Sequence, residues 1–146
     1  MLKWARENGC PWDYTCADVA YSGRLDILKW LRENGCPWDE KTCSNAADAN
    51  HFELLKWARE NGCPWDVTTC HNAAEKGYLH ILKWARENGC PWNVNTCLWA
   101  AAQGRLETLQ WLRQNGCPWD INTCDIAKKY GHLEVLEWAK QNGCPS

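Results

Sequence analysis

The chain has 146 residues, a formal net charge of -2 and a pI near 6.1, with 11 cysteines and 12 tryptophans. Nearly balanced charge provides no basic surface for nucleic acid, and no apolar run approaches the roughly 18 residues of a membrane helix. Met1 leads directly into a repeated phrase without a signal peptide. We therefore expect an intracellular, cytoplasmic protein with no nucleic-acid and no membrane partner.

One phrase recurs along the whole chain and is clearest at residues 82–92, which read LKWARENGCPW. Its first leucine recurs at steps of 26 and then 27 residues, at Leu2, Leu28, Leu55, Leu82, Leu109 and Leu136. A fixed period of this size indicates one supersecondary unit stacked on copies of itself. The sequence predicts a single repeat array over 1–146, with a half-repeat 1–12 and repeats 13–38, 39–65, 66–92, 93–119 and 120–146.

The first half of each repeat predicts a helix, here called helix A. Small residues lie at i, i+3, i+4 and i+7, as in Cys70, Ala73, Ala74 and Gly77. Gly77 ends this helix because glycine accepts a left-handed C-cap, and Asn50 holds the same place in an earlier repeat. Asp66 or Thr69 could cap the start, and the constant Thr-to-Cys spacing favours Thr69.

The second half predicts a helix B with an apolar edge and an opposite, solvated charged face. The charged face carries Lys83, Arg86 and Glu87, and the helix ends at Asn88-Gly89 before a proline. Nothing alternates as a strand would, so we expect ten or eleven short helices and no sheet. Lys128 replaces the alanine of other repeats in the last helix A, which predicts a water-facing side at that end.

These motifs resemble the ankyrin repeat family. Residues 70–79 read CHNAAEKGYL and are followed by Leu82-Lys83 and by Asn88-Gly89-Cys90, similar to the family pattern TPLHxAAxxGHL with its second helix. The period is 27 residues rather than about 33, and the missing residues fall where the family has its β-hairpin finger. The resemblance implies an all-α solenoid of stacked helix-turn-helix repeats with this finger shortened or absent. The sequence is also similar to short Cys-Pro-Trp repeats of giant viruses, protists and algae.

The cysteines form two ladders along the repeats. One follows helix B (Cys10, Cys36, Cys63, Cys90, Cys117 and Cys144), and one opens helix A (Cys16, Cys43, Cys70, Cys97 and Cys124). Their spacing differs from the C-x2-C of zinc knuckles, and histidines do not recur with the period. Metal binding and disulfides remain alternatives, but we expect buried, reduced thiols with no metal and no cofactor.

The tryptophans also follow the repeat, with one on helix B and one after the loop proline. A regular aromatic ladder could stack single-stranded bases, but without a basic groove we expect these rings to pack the repeats together. Trp99 stands outside both ladders. It is either an anchor for a partner or a core residue between helices.

No catalytic triad, phosphate loop or HExxH motif is present, so we expect no enzymatic activity. The informative positions are those that vary between repeats, just before the turn between helices A and B and in the loop that precedes helix A. In proteins resembling ankyrin repeats these positions contact partners. The candidate partner-binding residues are Tyr14, Tyr21, Ser22, Glu40, Lys41, Asp48, Val67, Thr68, Glu75, Lys76, Asn95, Trp99, Gln103, Asn122, Lys129 and Tyr130.

The predicted function is a non-catalytic protein–protein interaction module that presents variable helix-A and loop residues to a protein partner. The alternatives are a structural protein that stacks end to end and a cysteine-based metal binder. The first helix B carries Leu2, Trp4 and Ala5 without a polar cap. It therefore predicts either fraying or weak end-to-end association of a monomer.

Overall fold

The computed structural model describes residues 15–145, and over this range the chain forms ten helices and no strand. The chain divides into two compact units with the boundary between Trp65 and Asp66. In unit 1 the helices are α1 (Cys16–Ser22), α2 (Leu25–Glu33), α3 (Glu40–Asp48) and α4 (Phe52–Glu60). In unit 2 they are α5 (Val67–Lys76), α6 (Leu79–Glu87), α7 (Val94–Ala102), α8 (Leu106–Gln114), α9 (Ile121–Lys129) and α10 (Leu133–Gln141).

The predicted fold class is confirmed in each unit, where helices A and B alternate and stack as helix-turn-helix repeats. Helix A of one repeat packs on helix A of the next, α1 on α3 in unit 1 and α5 on α7 on α9 in unit 2. The boundary between units coincides with a predicted repeat boundary. The single array over 1–146 stays a prediction, and the predictions for Leu2, Trp4, Ala5, Cys10 and Tyr14 lie outside the described residues.

The preference for threonine as the helix-A cap is wrong in four of the five helices. The side chains of Asp39, Asp66, Asn93 and Asp120 accept a hydrogen bond from the amide two residues later, and only α1 uses its threonine, Thr15. Helix A therefore begins about three residues earlier than expected. The variable pair after each of these four caps, predicted as loop, lies in the first helical turn.

The turn between helices A and B has the predicted left-handed residue. Gly77 has a φ of 75° and closes α5, and its amide bonds Ala74 O. Asn50 has a φ of 64°, the one positive value outside glycine among residues 15–145. Short asparagine side chains tolerate this region better than other non-glycine residues. The sequence identified both turns from residue type alone.

Helix B ends in the same way in every described repeat. The side chain of Asn88 donates to Trp84 O at 2.8 Å, and Cys90 N donates to Ala85 O at 2.9 Å. These bonds satisfy carbonyls that the end of a helix leaves without partners. Cys90 is therefore held against the last turn of its own helix B, and its side chain lies in the core.

The core is formed by small residues of helix A and leucines of helix B, as the pattern predicted. All ten described cysteines are buried and unpaired by disulfides, which confirms the expected burial of both ladders for these residues. Lys128 is exposed whereas its equivalents Ala47, Ala74 and Ala101 are fully buried. None of the helices in residues 15–145 is long and apolar enough to span a bilayer.

Candidate functional site

The outward side of helix α7 carries an uncharged, partly aromatic stripe. Asn95, Trp99 and Gln103 follow one another at i, i+4 and i+8, so they share one face of the helix, and all three are exposed. Trp99 is 40% exposed. The alternative that Trp99 is a core residue is therefore wrong.

The helices on either side of α7 extend this stripe within unit 2. At the equivalent positions, α5 has Thr68, Asn72 and Lys76, and α9 with its C-cap has Asn122, Ile126 and Tyr130. Tyr130 is 55% exposed. We call these nine positions the A-face of unit 2; they are Thr68, Asn72, Lys76, Asn95, Trp99, Gln103, Asn122, Ile126 and Tyr130.

At the equivalent positions unit 1 is more polar: α1 has Asp18 and Ser22, and α3 with its C-cap has Lys41, Asn45 and Ala49. Tyr21, next to Ser22, is 54% exposed. Asn45 on α3 donates from Nδ2 to Ala17 O at 3.0 Å, which links the two helices. A groove of about 490 Å³ lies between them and is lined in part by Asp18, Trp38 and Lys41.

None of the described candidate partner-binding residues is buried. The exposed ones are Tyr21, Ser22, Glu40, Lys41, Lys76, Asn95, Trp99, Gln103, Asn122, Lys129 and Tyr130. The partly buried ones are Asp48, Val67, Thr68 and Glu75. The candidate residues do not form one cluster. Within a helix A, the candidates in the first turn and the candidates in the last turn lie about two turns apart.

The described candidates that were predicted to lie in loops need correction. They lie in the first turn of a helix: Glu40, Lys41, Val67, Thr68, Asn95 and Asn122. The Thr68 hydroxyl donates to the Asp66 carboxylate and so takes part in the helix cap. Sequence reasoning also missed the middle of the A-face, where Asn72 and Ile126 lie 27 residues before and after Trp99. The signal was present, because all three positions vary between repeats.

Side chains from the following repeat bind the last turn of α5 and of α7. In unit 2, Arg105 Nε donates to Glu75 O at 3.1 Å, and His132 Nε2 lies 3.0 Å from Ala102 O. A carbonyl oxygen only accepts, so His132 must carry a proton on Nε2. His51 makes the same contact with Tyr21 O in unit 1, at 3.0 Å. These contacts fix the backbone at the ends of these helices A, and with it the positions of the variable side chains there.

The helix-B side differs from the prediction of a solvated charged stripe. Arg86 is half-buried, donates from Nη1 to Cys90 O at 2.6 Å, and places its guanidinium 3.8 Å from the centroid of Trp92. Arg32, Arg59 and Arg113 repeat both contacts in their own repeats. The arginine is therefore a structural clamp, because the loop tryptophan folds back over it. Lys83 and Glu87 remain exposed, as predicted.

The two cysteines of each repeat lie together inside it. Cys70 Sγ contacts Cys90 O at 4.0 Å, and Cys90 Sγ donates to Asp66 O at 3.4 Å, which joins the end of helix B to the cap of helix A. A hydrogen bond with Cys90 and burial raise the pKa of the Cys70 thiol, and burial raises that of Cys16 to about 12. Protonated, buried thiols are poor nucleophiles and poor metal ligands. In residues 15–145 no group of three or more His, Cys, Asp or Glu side chains is arranged to hold a metal ion.

Each unit is all-α and consists of stacked, ankyrin-like helix pairs with an exposed variable face. Residues 97–139, from α7 to α10, match the family model described as ankyrin repeats (many copies). No curated protein matches the sequence. Ankyrin repeats are generally protein–protein interaction modules without catalytic activity.

Proposed function

We propose that this protein is a non-catalytic module that binds a protein partner through the A-face of unit 2. The observation that carries the proposal is Trp99, a large aromatic side chain that is 40% exposed at the middle of this face. Tryptophan is enriched among the residues that dominate binding energy at interfaces. Exposing it to water is unfavourable unless a partner covers it.

The surroundings of Trp99 support the proposal. Asn95 and Gln103 flank it on the same helix and provide both donors and acceptors, and α7 carries no charged residue. Charges lie toward the edges of the face, for example Lys76 on α5 and Lys129 on α9. An uncharged centre with an aromatic anchor and a charged rim is the usual anatomy of a protein–protein interface.

The proposal includes the finer predictions that follow from the sequence. The 27-residue Cys-Pro-Trp repeat is proposed to be a short form of the ankyrin repeat, similar to those of giant viruses, protists and algae. We propose an intracellular, cytoplasmic location, because disulfides are rare where thiols are kept reduced and the ten described cysteines are unpaired.

The test uses a photo-crosslinking amino acid, p-benzoylphenylalanine, in place of Gln103 on the A-face. The matched control places it at Glu107, which is exposed on α8. A protein from the source cell that crosslinks at position 103 and not at 107 is then purified, and its affinity is measured by titration calorimetry. Absence of any product specific to position 103 would exclude this face as the binding site.

The decisive variant is Trp99→Asn, because asparagine already occupies the equivalent position at Asn72. We expect it to weaken binding roughly 30-fold, the loss of an interface hot spot, while Glu107→Gln changes affinity less than about twofold. Equal affinities of Trp99→Asn and the unmodified chain would refute the proposal. Replacing Tyr21, Glu75, Lys76, Gln103 and Tyr130 together should abolish binding and change the stability only slightly.

A further inference from the structure

Every described helix B is closed by the dipeptide Asn-Gly, which is chemically labile. The glycine nitrogen can attack the asparagine side chain, because glycine has no side chain of its own to shield it. The dipeptide is also what the helix end requires, since Asn88 donates to a carbonyl of its own helix and Gly89 has a φ of 86°. The five described copies are exposed to water: Asn34-Gly35, Asn61-Gly62, Asn88-Gly89, Asn115-Gly116 and Asn142-Gly143.

The reaction of this dipeptide is a deamidation that consumes only water. The glycine nitrogen loses its proton and bonds to the asparagine Cγ, the bond from Cγ to Nδ2 breaks, and ammonia leaves. Water then opens the resulting succinimide ring at either of its two carbonyls. One opening gives aspartate, and the other gives isoaspartate, in which the main chain runs through the former side chain. No electrons are gained or lost, so the reaction needs no oxidant and no cofactor.

The folded helix end holds the reacting atoms apart. Ring closure requires the glycine nitrogen to be nearly eclipsed with the asparagine Cβ, which for an L-residue means a ψ of about −120°, outside the main allowed regions. At Asn88 ψ is 16°, and at the five described sites it lies between 14° and 20°. Gly89 N also donates to Arg86 O at 3.1 Å, and Asn88 Nδ2 donates to Trp84 O at 2.8 Å. The reaction therefore requires rotation about this bond and local opening of the helix end.

The five sites differ in how firmly this helix end is held. At four of them an arginine binds the cysteine carbonyl just beyond the glycine, as Arg86 Nη1 does at 2.6 Å from Cys90 O. The fifth site has exposed Lys140 in the place of the arginine. There, Gly143 N lies 3.4 Å from Lys140 O, against 3.1 to 3.2 Å at the other four sites. Asn142 is therefore the least protected of the described sites.

We propose that these Asn-Gly pairs are deamidation sites, each controlled by opening of its own helix end, and that Asn142 reacts first in the folded protein. The product cannot restore the cap. A carboxylate at this position cannot donate to Trp138 O, as Asn142 Nδ2 does at 2.8 Å, and it adds negative charge at the negative end of α10. Isoaspartate also lengthens the main chain, which displaces Cys144 N from its bond to Ala139 O. Deamidation therefore weakens the helix end irreversibly and leaves a chemical mark of its opening. This inference does not rest on the function proposed for the A-face.

The test incubates the full chain at mildly alkaline pH and follows each site by peptide mapping with mass spectrometry, with and without urea. In urea the sites should react at similar rates, because each Asn-Gly is preceded by Glu or Gln and followed by Cys-Pro. The incubation of the folded chain continues until Asn88 is measurably modified. We expect Asn142 to react at least about tenfold faster than Asn88, which corresponds to about 1.4 kcal/mol less free energy of opening. Equal rates at Asn142 and Asn88 in the folded chain, or folded rates as high as those in urea, overturn the proposal.

Two matched variants separate local opening from unfolding of the whole unit. Arg86→Lys removes the arginine contact beside Asn88, and Arg113→Lys removes the one beside Asn115, both in unit 2. We expect Arg86→Lys to speed the reaction about tenfold at Asn88 and less than about twofold at Asn115, and Arg113→Lys to do the reverse. Circular dichroism verifies that both variants are folded. If each variant speeds both sites equally, unfolding of the unit controls the reaction, and if neither variant changes its own site, the arginine contact does not protect it. Either result overturns control by the individual helix end.

Discussion

Two glycines of unit 2 allow a quantitative test of how neighbouring repeats are locked together. Gly104 and Gly116 have φ values of 69° and 85°, so an alanine at either position is strained by about 1–2 kcal/mol in the left-handed region. They differ in their surroundings. A Cβ on Gly104 would lie 2.6 Å from His132 Nδ1, whereas a Cβ on Gly116 would meet no atom within 4 Å.

Gly104→Ala must therefore move the His132 ring. The Nε2 atom of this ring donates a hydrogen bond to Ala102 O at 3.0 Å, which the movement would break. Losing that hydrogen bond costs about 1 kcal/mol. Alanine also lowers the conformational entropy of the unfolded chain, which stabilises the fold. This contribution is the same for both variants and cancels when their free energies of unfolding are compared. We expect Gly116→Ala to lower the free energy of unfolding by about 1 kcal/mol and Gly104→Ala by about 2–3 kcal/mol.

The assay is urea unfolding of the full chain followed by circular dichroism, with the slope checked for each variant. Both glycines lie in unit 2, so both report on unfolding of the same unit. In a His132→Ala background the added cost of Gly104→Ala should fall to that of Gly116→Ala, because the ring it displaces is gone. Equal costs of the two alanines in the unmodified chain, or an excess that persists without the ring, would refute the clash as the cause.

Three further predictions concern other contacts of the repeats. Arg86→Lys should lower the free energy of unfolding by about 1–2 kcal/mol, because lysine cannot both reach Cys90 O and stack on Trp92; an unchanged urea midpoint would contradict the clamp. Asn50→Gly should raise the urea midpoint, because glycine adopts the φ of 64° at this position without the strain of a side chain, a gain of up to about 1 kcal/mol in the free energy of unfolding. A lower midpoint would contradict strain at Asn50. Burial raises the pKa of Cys16 from 9.0 to about 12, so the thiol ionises first in the unfolded chain and the free energy of unfolding should fall as the pH rises between these values. Cys16→Ala should lose less stability than the unmodified chain over that interval. An identical loss in both proteins would show that other groups cause it.

The helices and their turns were predictable because their signals are local. The apolar period of 3.6 residues and the glycine at Gly77 act within one repeat, and the 27-residue recurrence multiplies the same signal. The cap was misassigned because the constant spacing from Thr69 to Cys70 was attributed to a cap. A constant spacing is also expected when both residues lie inside the helix, as Thr69 and Cys70 do. The cap is Asp66, an extended residue whose carboxylate accepts a hydrogen bond from Thr68 N at 2.9 Å.

The helix-A face was predicted in part, and its limits have a physical cause. Variation between repeats identified its two ends, since packing does not restrict residues there. It could not separate an exposed Trp99 from a buried one, because tryptophan is common in both environments. The position shared by Asn72, Trp99 and Ile126 also varies between repeats. Variation alone does not show whether a position in the middle of a helix faces solvent or the neighbouring helix, so Asn72 and Ile126 were missed.

The sequence by itself therefore determined the repeat, the two helices, their order and the burial of the described cysteine ladders, because each depends on contacts within about ten residues or on a period that repeats them. The tertiary structure alone decided what the polar side chains do. Arg86 became a clamp only when Trp92 folded over it. His132 became a bridge only because α7 of the preceding repeat presents the carbonyl of its last residue, Ala102, to the ring. These outcomes depend on distances between elements that no local pattern encodes.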